Sequence, residues 1–597
     1  MKTLVVLDIE TYPNYWLLAV KSLEKGTLIT MEIYGKENRF DSVQMKRIRL
    51  VLAKHTTFGF NSNNYDMPMI MYALSGKTCS ELYVLSKDII ENRKPNWLTY
   101  RDYDIDKPRY DHFDIAEPSP AVMISLKNYG TRIGSKKLWD LPFDPHKPVT
   151  KNEAKILKDY CENDLDVTID LYRAIADRIE LRVSMGDTYG LDLRSKSDAQ
   201  IAEAIFEKRI GKQKRVDAKS RLIKEIKYKA PDFIKFESPH LEAIKDLFES
   251  CPIPVNQANG QPKLPLEWTK LIKPKIGNTV YKLGLGGVHS QEKSVSIKST
   301  STMKMRNADI ASMYPSIIVT MGLYPKTLGN KFLDIYSNIK KTRLEAKASG
   351  DKLVNESLKI VLNSSYGKFG SFYSFLYAPD LMLTVTLTGQ LMMLMLIEQL
   401  ELHGIEVISA NTDGVEYYCH VDKTDLAHSL IFDWELITGM DMEHGEYLAL
   451  HASNVNNYVA VYDGYTKAKG LYAETSLSKG RSTPVIYEAI RKYLLDGTAM
   501  ETTITNCTDM NQFVSARTVK GGGVYGEEYL GKMVRWHYSL ESKGCISYKT
   551  NGNKVPKTDR CYPMMELTET IPKDLDYVWY FEEAVSKLKD LGVEYEK

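Results

Sequence analysis

Four carboxylates in the first third of the chain are spaced so that they can meet at one point. Asp8 and Glu10 follow the apolar run Leu4-Val5-Val6-Leu7, which reads as a buried strand. Residues i and i+2 of a strand share a face, so both acids can point at one site. Asp66 ends the turn-rich stretch from Phe58 through Asn61 to Tyr65 and leads into Met69-Ile70-Met71-Tyr72. There it can join the same site, or the stretch can be a plain loop followed by a helix N-terminus that Asp66 caps. Tyr160 and Asp164 stand four residues apart in a helical pattern from Asn152 to Ile179, hence on one face. Four clustered carboxylates repel one another unless cations neutralise them, and hard oxygen ligands suit Mg²⁺ or Mn²⁺. Two such ions about 4 Å apart can hold an attacking hydroxide and the leaving 3′ oxygen of a phosphodiester. Tyr160 can orient the attacking water.

A second acidic site lies in the middle of the chain. In Asn307-Ala308-Asp309-Ile310-Ala311-Ser312-Met313-Tyr314-Pro315, a strand ending at Asp309 turns into a helix near Pro315. Ile405–Ala410 and Val415–Val421 read as two strands joined by Asn411-Thr412-Asp413-Gly414, with Asp-Gly as the hairpin pair. A hairpin tip gives Asp413 a rigid support. Between these segments lies a helical hairpin, Leu333–Ala348 and Lys352–Tyr366, turning at Ser349-Gly350-Asp351. Lys359, Asn363 and Tyr366 fall on one helix face. Lys340 and Lys359 lie at nearly equal distances from Gly350, so both can meet a triphosphate as point charges.

The elements that must position these groups need several domains. A chain of 597 residues predicts about three to five. The net charge of +2 neither announces nor excludes a nucleic-acid partner. Locally, ten Lys or Arg between Phe206 and Lys229 face only Glu207, Asp217 and Glu225, a candidate phosphate-contacting stripe or a solvated helix face. No apolar run approaches the ~20 residues that span a bilayer. The N-terminal apolar run stops at Asp8 without a cleavage site, so a cytoplasmic chain is expected. The seven cysteines form no Cys-x-x-Cys pair, which argues against zinc or iron–sulfur sites and suggests free thiols.

Asp8-Ile9-Glu10-Thr11, Asn61-x-x-x-Tyr65-Asp66 and Tyr160-x-x-x-Asp164 resemble the three exonuclease motifs of family B DNA polymerases. Ser125-Leu126-Lys127-Asn128-Tyr129 resembles a further segment of that family that grips the single-stranded 3′ end. The Asp309–Pro315 string resembles motif A, with Met313 in the Leu place. Lys359 to Gly367 resembles motif B, the fingers helix, and Asn411 to Gly414 resembles motif C. Motif C departs from the family at Asn411, where an acid is expected, and at Gly414, where Ser is expected. Leu283-Gly284-Leu285-Gly286-Gly287-Val288-His289 resembles the Gly-Gly linker between exonuclease and polymerase, with Tyr281 near but not at the expected Tyr position. Asn456-Asn457-Tyr458 stands where the family has Lys-x-Tyr on the primer strand. Lys467-Ala468-Lys469-Gly470 can supply the missing charge. The glycines after Lys520 can let backbone N–H groups approach phosphates or form a flexible loop.

The resemblance implies an α/β and α+β multidomain chain, an RNase H-like exonuclease followed by a palm–fingers–thumb right hand. Its boundaries are exonuclease 1–180, connecting and DNA-binding region 181–300, palm 301–330, fingers 331–370, palm 371–454, and thumb and C-terminal region 455–597. It implies template-directed DNA synthesis from a primer with 3′→5′ proofreading, using two Mg²⁺ (or Mn²⁺) per active site. Asp309 and Asp413 would be the polymerase ligands; Asp8, Glu10, Asp66 and Asp164 those of the nuclease. Tyr314 would exclude a 2′-hydroxyl. Lys359, Asn363, Lys340 and Arg343 would meet the nucleotide. Asn61, Tyr65, Ser125, Leu126, Tyr366, Gly367, Tyr458 and Lys469 would contact DNA. Implied partners are primer-template DNA, dNTPs and a clamp, helicase or single-strand-binding protein, with no membrane and a monomeric state. The compact layout resembles bacteriophage enzymes, which places the chain in a host cytoplasm. The intervals Asp309–Lys359 and Lys359–Asp413 leave no room for the insertions of the protein-primed group. Two other readings are a nuclease whose second half only grips DNA and a non-catalytic replisome scaffold.

Overall fold

A computed structural model describes residues 2–120, 124–211, 218–480 and 482–596. The chain is a mixed α/β multidomain protein that divides into two compact units. The first comprises Met1–Ser197, Thr475–Val485 and Thr505–Tyr580; the second comprises Asp198–Glu474, Ile486–Ile504 and Phe581–Lys597. The stretch 455–597 therefore contributes to both.

The first unit is built on a five-stranded sheet ordered Leu28–Tyr34, Tyr15–Ser22, Leu4–Tyr12, Thr56–Gly59, His112–Asp114. The first three strands run antiparallel and the last two lie parallel to Leu4–Tyr12 and to each other. Alternation along the central strand feeds two cores. Val5, Leu7 and Ile9 pack into one with Trp16, Met69 and Leu82. Val6 packs into the other with Phe58, Leu157 and Leu165 of helix Lys151–Ala174. Asp8 and Glu10 share the parity of Val6, and so face that helix. The helical pattern expected from Asn152 to Ile179 breaks at Ile175 into Lys151–Ala174 and Ala176–Tyr189.

A second sheet of this unit is the long hairpin Ser515–Tyr525 and Glu528–Tyr538, flanked by Ser547–Tyr548 and Cys561–Pro563. The Lys520–Gly523 stretch, read as a phosphate-contacting or flexible loop, instead forms part of a strand with an irregular register. Arg535 is fully buried. It donates to the Ser135 and Lys136 carbonyls at 2.8 and 2.9 Å and to those of Met564 and Met565 at 2.8 and 3.1 Å. One side chain thereby ties the hairpin to the N-terminal part of the unit.

The second unit contains a seven-stranded sheet in the order Met442–Tyr447, Met303–Ile310, Gly414–His420, Glu406–Asn411, His289–Ser290, Thr279–Lys282, Lys275–Ile276. A four-stranded sheet orders Val295–Lys298, Ala449–Asn454, Asn457–Val461 and Thr466–Lys469. Helix Pro379–Leu402 is long and apolar enough to cross a membrane, contrary to the expectation from the sequence. Its most apolar window is 83% buried inside the unit, where Trp434 donates to the Met392 carbonyl and Gln390 bonds both polar groups of Gly284. These contacts make it a core helix.

The helical hairpin is Asn330–Ser349 and Lys352–Phe369, turning at Gly350 with φ 78°. Left-handed backbone favours glycine at that position. Phe206 of helix Asp198–Ile210 stacks on Phe332, with ring centroids 4.9 Å apart. The basic run thus begins on a helix packed against the hairpin. Residues 212–217 of that run lie outside the described residues. Arg221 is not a free phosphate contact: it donates to the Ser374 and Phe372 carbonyls. Lys227 and Lys229 are exposed and alternate with buried Ile226, Tyr228 and Ala230, so with exposed Glu225 they line one side of an extended segment.

Candidate active sites

In the first unit, Asp8 and Glu10 lie within strand Leu4–Tyr12, which continues beyond the apolar run. Helix Lys151–Ala174 brings Tyr160, Cys161 and Asp164 against them. Asp66 is not an N-cap. It is the first residue of helix Asp66–Ala73, after the N-cap Tyr65, and only 4% exposed. Its Oδ1 has no hydrogen-bond partner among the described residues. All four carboxyls are pushed above their ordinary range, first by burial. For Asp8, up to about 8, the Asp164 carboxylate adds to this; for Glu10, Asp8 and Asp164 do; for Asp66, Asp8 does. In Asp164, Lys127 and Tyr160 oppose the upward shift. A group of partly buried, mutually repelling carboxylates brought close together, with one orphaned Oδ1, is the donor set a hard divalent cation fits.

Tyr160 is oriented from both sides. Its hydroxyl bonds Asp164 and accepts from Lys127 Nζ, which lies 3.9 Å from Asp164 Oδ2 and 4.4 Å from the Tyr160 ring centroid. Lys127 carries no role in the sequence reading. It follows Ser125 and Leu126, whose helix Leu126–Ile133 starts with the Ser125 hydroxyl accepting from the Asn128 N–H. Asn128 reaches Thr518 of the long hairpin at 3.2 Å.

Asn61 sits at φ 58° in the turn before Asp66. Asp114 holds that turn by accepting from the Asn61, Asn63 and Ala116 N–H groups at 2.8–2.9 Å, another role the sequence left unread. Tyr65 donates to or accepts from Ser86 at 2.7 Å. With Glu10, Tyr83 and His146 it lines a cavity of about 300 Å³ beside the acids.

In the second unit, Asp309 is the last residue but one of strand Met303–Ile310, paired with Gly414 on one side and Glu443 on the other. Asp413 stands at the hairpin tip, where its carbonyl accepts from the Ile310 N–H at 2.7 Å. Close approach explains two glycines. A Cβ on Gly414 would fall 1.9 Å from Asp309 Oδ1, and one on Gly287 would fall 2.2 Å from Thr412 Oγ1. The Gly-Gly segment thus packs against the tip that carries Asp413. Asn411 is a strut: its Nδ2 donates to the Val455 carbonyl at 3.2 Å. Burial raises the Asp309 and Asp413 carboxyls, and each also bears nearby negative charge, from Glu443 and Asp309 respectively. Lys469 counters both shifts, and Lys467 also counters that of Asp309. Tyr458 lies opposite Lys469 on the neighbouring strand.

Asp413, Tyr314, Arg343, Lys359, Asn363 and Tyr366 line one cavity of about 450 Å³. The Tyr314 and Tyr366 rings stack at 4.2 Å and 22°. Arg343 is buried and bonds Ser312 and Asn355. Lys359 remains half exposed, 3.9 Å from Glu356. Lys340 is not among the lining residues, although the sequence places it at the height of Lys359. Gly367 lies in the same helix, and a Cβ there would meet nothing within 4 Å. Glu416, two residues beyond Gly414, was also missed. Its carboxyl is pushed up to about 8 by burial and then by Asp309.

No family model matches the chain. Over 196 residues it is 28% identical to DNA polymerase 1 of Sulfolobus acidocaldarius, covering 32% of this chain and 21% of that protein. Over 130 residues it is 32% identical to DNA polymerase II of Escherichia coli, covering 18% of this chain and 17% of that protein. The matched segments therefore span about a fifth of each relative. A solved family B DNA polymerase from the hyperthermophilic archaeon Pyrobaculum calidifontis aligns over 100% of this chain and 79% of its own, with 13% identity and a TM-score of 0.40. The chain is thus similar in part of its sequence to DNA polymerases.

Proposed function

We propose that this chain is a template-dependent DNA polymerase of family B that carries its own 3′→5′ proofreading exonuclease. Sequence similarity to DNA polymerases supports the synthetic activity. The observation that carries the reading is the single cavity in which Asp413 meets Tyr314, Arg343, Lys359 and Asn363, with Asp309 on the adjoining strand. A carboxylate, two cations and a stacked aromatic pair in one cavity, with a second carboxylate on the adjoining strand, suit a metal-bound nucleoside triphosphate. A surface that merely gripped DNA would not place acids beside phosphates.

Asp309 and Asp413 would hold the cations of synthesis; Asp8, Glu10, Asp66 and Asp164 would hold those of degradation. Divalent ions there supply charge neutralisation at phosphate and acidify a bound hydroxyl or water. The chain's own residues do the rest. Tyr314, braced by Tyr366, closes the place of a ribose 2′-hydroxyl. Lys359 and Arg343 face the triphosphate, Arg343 held in place by Ser312 and Asn355. In the nuclease site Tyr160, fixed between Asp164 and Lys127, orients the attacking water, while Tyr65 offers a ring to the last base. Helices and strands fill both intervals between Asp309, Lys359 and Asp413, which supports extension of an ordinary nucleic-acid primer. Replication of a phage genome, with clamp or helicase help, is the setting we propose.

The test is extension of a labelled primer on a template with Mg²⁺, with and without dNTPs. The reading expects elongation with dNTPs and shortening from the 3′ end without them. Neither elongation nor shortening by folded protein would overturn it.

A further inference from the structure

The nuclease cluster contains a sulfur atom that the proposed mechanism does not use. The Cys161 thiol, buried on helix Lys151–Ala174, lies 3.7 Å from Asp8 Oδ2. Ligand atoms of Asp8, Glu10 and Cys161 all lie within 4.8 Å of one another. A tetrahedral ion with a Zn–S bond of about 2.3 Å and a Zn–O bond of about 2.0 Å places its sulfur and oxygen ligands about 3.5 Å apart. The Cys161–Asp8 separation is close to that edge. A second observation points the same way: the buried Asp66 carboxylate accepts from the Ile9 N–H and lies within the field of Asp8, while its Oδ1 is unpartnered among the described residues. Oxygen donors alone favour Mg²⁺ or Mn²⁺, whereas an added thiolate favours zinc and its softer congener cadmium.

We propose that Asp8, Glu10 and Cys161 form a mixed oxygen–sulfur site that binds Zn²⁺ or Cd²⁺ and thereby blocks the nuclease centre. This deepens the exonuclease reading above and rests on it for its consequence. On binding, the Cys161 S–H bond breaks, its proton passes to solvent, and a metal–sulfur bond forms with no change of oxidation state. An ion so held keeps the acids from the hard cations that degradation needs. The cavity lined by Asp413 has no thiol among its described lining residues, so synthesis is spared.

The test uses the full chain and Cd²⁺ as probe, without Mg²⁺. Titration should give one saturable sulfur-to-cadmium charge-transfer band in the ultraviolet. The band should vanish in Cys161→Ser and in Asp8→Asn/Glu10→Gln, and persist in Cys545→Ser. In parallel, Zn²⁺ should half-inhibit degradation of single-stranded DNA at a concentration ~10-fold or more higher in Cys161→Ser than in wild type. A band unchanged in Cys161→Ser, or kept in the double acid variant, would overturn the proposal. X-ray absorption of the Zn²⁺-loaded wild-type protein needs no variant: it should show a sulfur neighbour at about 2.3 Å, and an all-oxygen and nitrogen shell would also overturn it. If the band behaves as expected but Mg²⁺ supports no degradation, the exonuclease reading fails while the sulfur ligand stands. Degradation with no band gives the reverse.

Discussion

Replacing Asp8 by Asn should stabilise the metal-free protein at alkaline pH. Burial, and then the Asp164 carboxylate, push the Asp8 carboxyl up to about 8 from 3.8. An acid that holds its proton more tightly in the folded chain gives its full stabilisation below the unfolded value of 3.8. That stabilisation is lost as pH rises through the folded value, here about 8. At about 1.4 kcal/mol per unit, a lone group so shifted makes the fold about 5 kcal/mol less stable near pH 8 than near pH 4. Asp8 shares its field with Glu10 and Asp164, so removing one charge should recover about half, ~3 kcal/mol. For a unit of this size that is about 6–10 °C in Tm. The assay is calorimetry in chelator. Asp8→Asn should melt about 6–10 °C above wild type near pH 8, and the gap should shrink to about 3 °C or less near pH 5. Saturating Mg²⁺ should narrow or reverse the difference, because wild type gains ~2–3 kcal/mol from an ion that the variant holds poorly. An Asn variant that melts below wild type in chelator near pH 8 would refute the reasoning, since the acids would then not be repelling one another.

Three further substitutions probe other parts of the molecule. Tyr314→Ala should raise the ratio of ribonucleotide to deoxyribonucleotide incorporation by ~10–100-fold in single-nucleotide kcat/KM measurements, with Tyr366 losing its stacked partner. Lys359→Ala should raise KM for dNTP or lower kcat by about 10-fold, while leaving DNA affinity and 3′→5′ degradation near wild type; a large loss of DNA affinity would place this helix on the duplex. Arg535→Ala should destabilise the first unit by ~3 kcal/mol in urea unfolding, because buried carbonyls of Ser135 and Met564 lose their donor.

The elements that carry the acids were legible because their signals are local. The Asp413-Gly414 pair marks the hairpin between Glu406–Asn411 and Gly414–His420, and Gly350 marks the turn between the two long helices. Alternation in Leu4–Tyr12 put Asp8 and Glu10 on one face. Groups whose roles depend on distant contacts were not legible. Lys127 stands in a quoted segment without a role of its own and Cys161 at a position that the motif leaves open, and only packing shows that they touch Tyr160 and Asp8. Asp114 ends a three-residue strand too short to give a pattern. The return of Thr505–Tyr580 to the first unit depends on the buried Arg535 and the carbonyls around it. Helix Pro379–Leu402 was missed as a long apolar element because Thr386, Thr388, Gly389 and Gln390 interrupt its run, although they too are buried in the unit.

The central claim is that two carboxylate sites in one chain do opposite work on a primer end. The most direct measurement follows one labelled primer-template with Mg²⁺, with and without dNTPs, for wild type, Asp8→Ala/Glu10→Ala and Asp413→Ala, each checked for folding. Wild type should elongate with dNTPs and degrade without them. The Asp8/Glu10 variant should elongate but not degrade, and the Asp413 variant should degrade but not elongate. Loss of both activities together in either folded variant, or no elongation by wild type, would contradict the account.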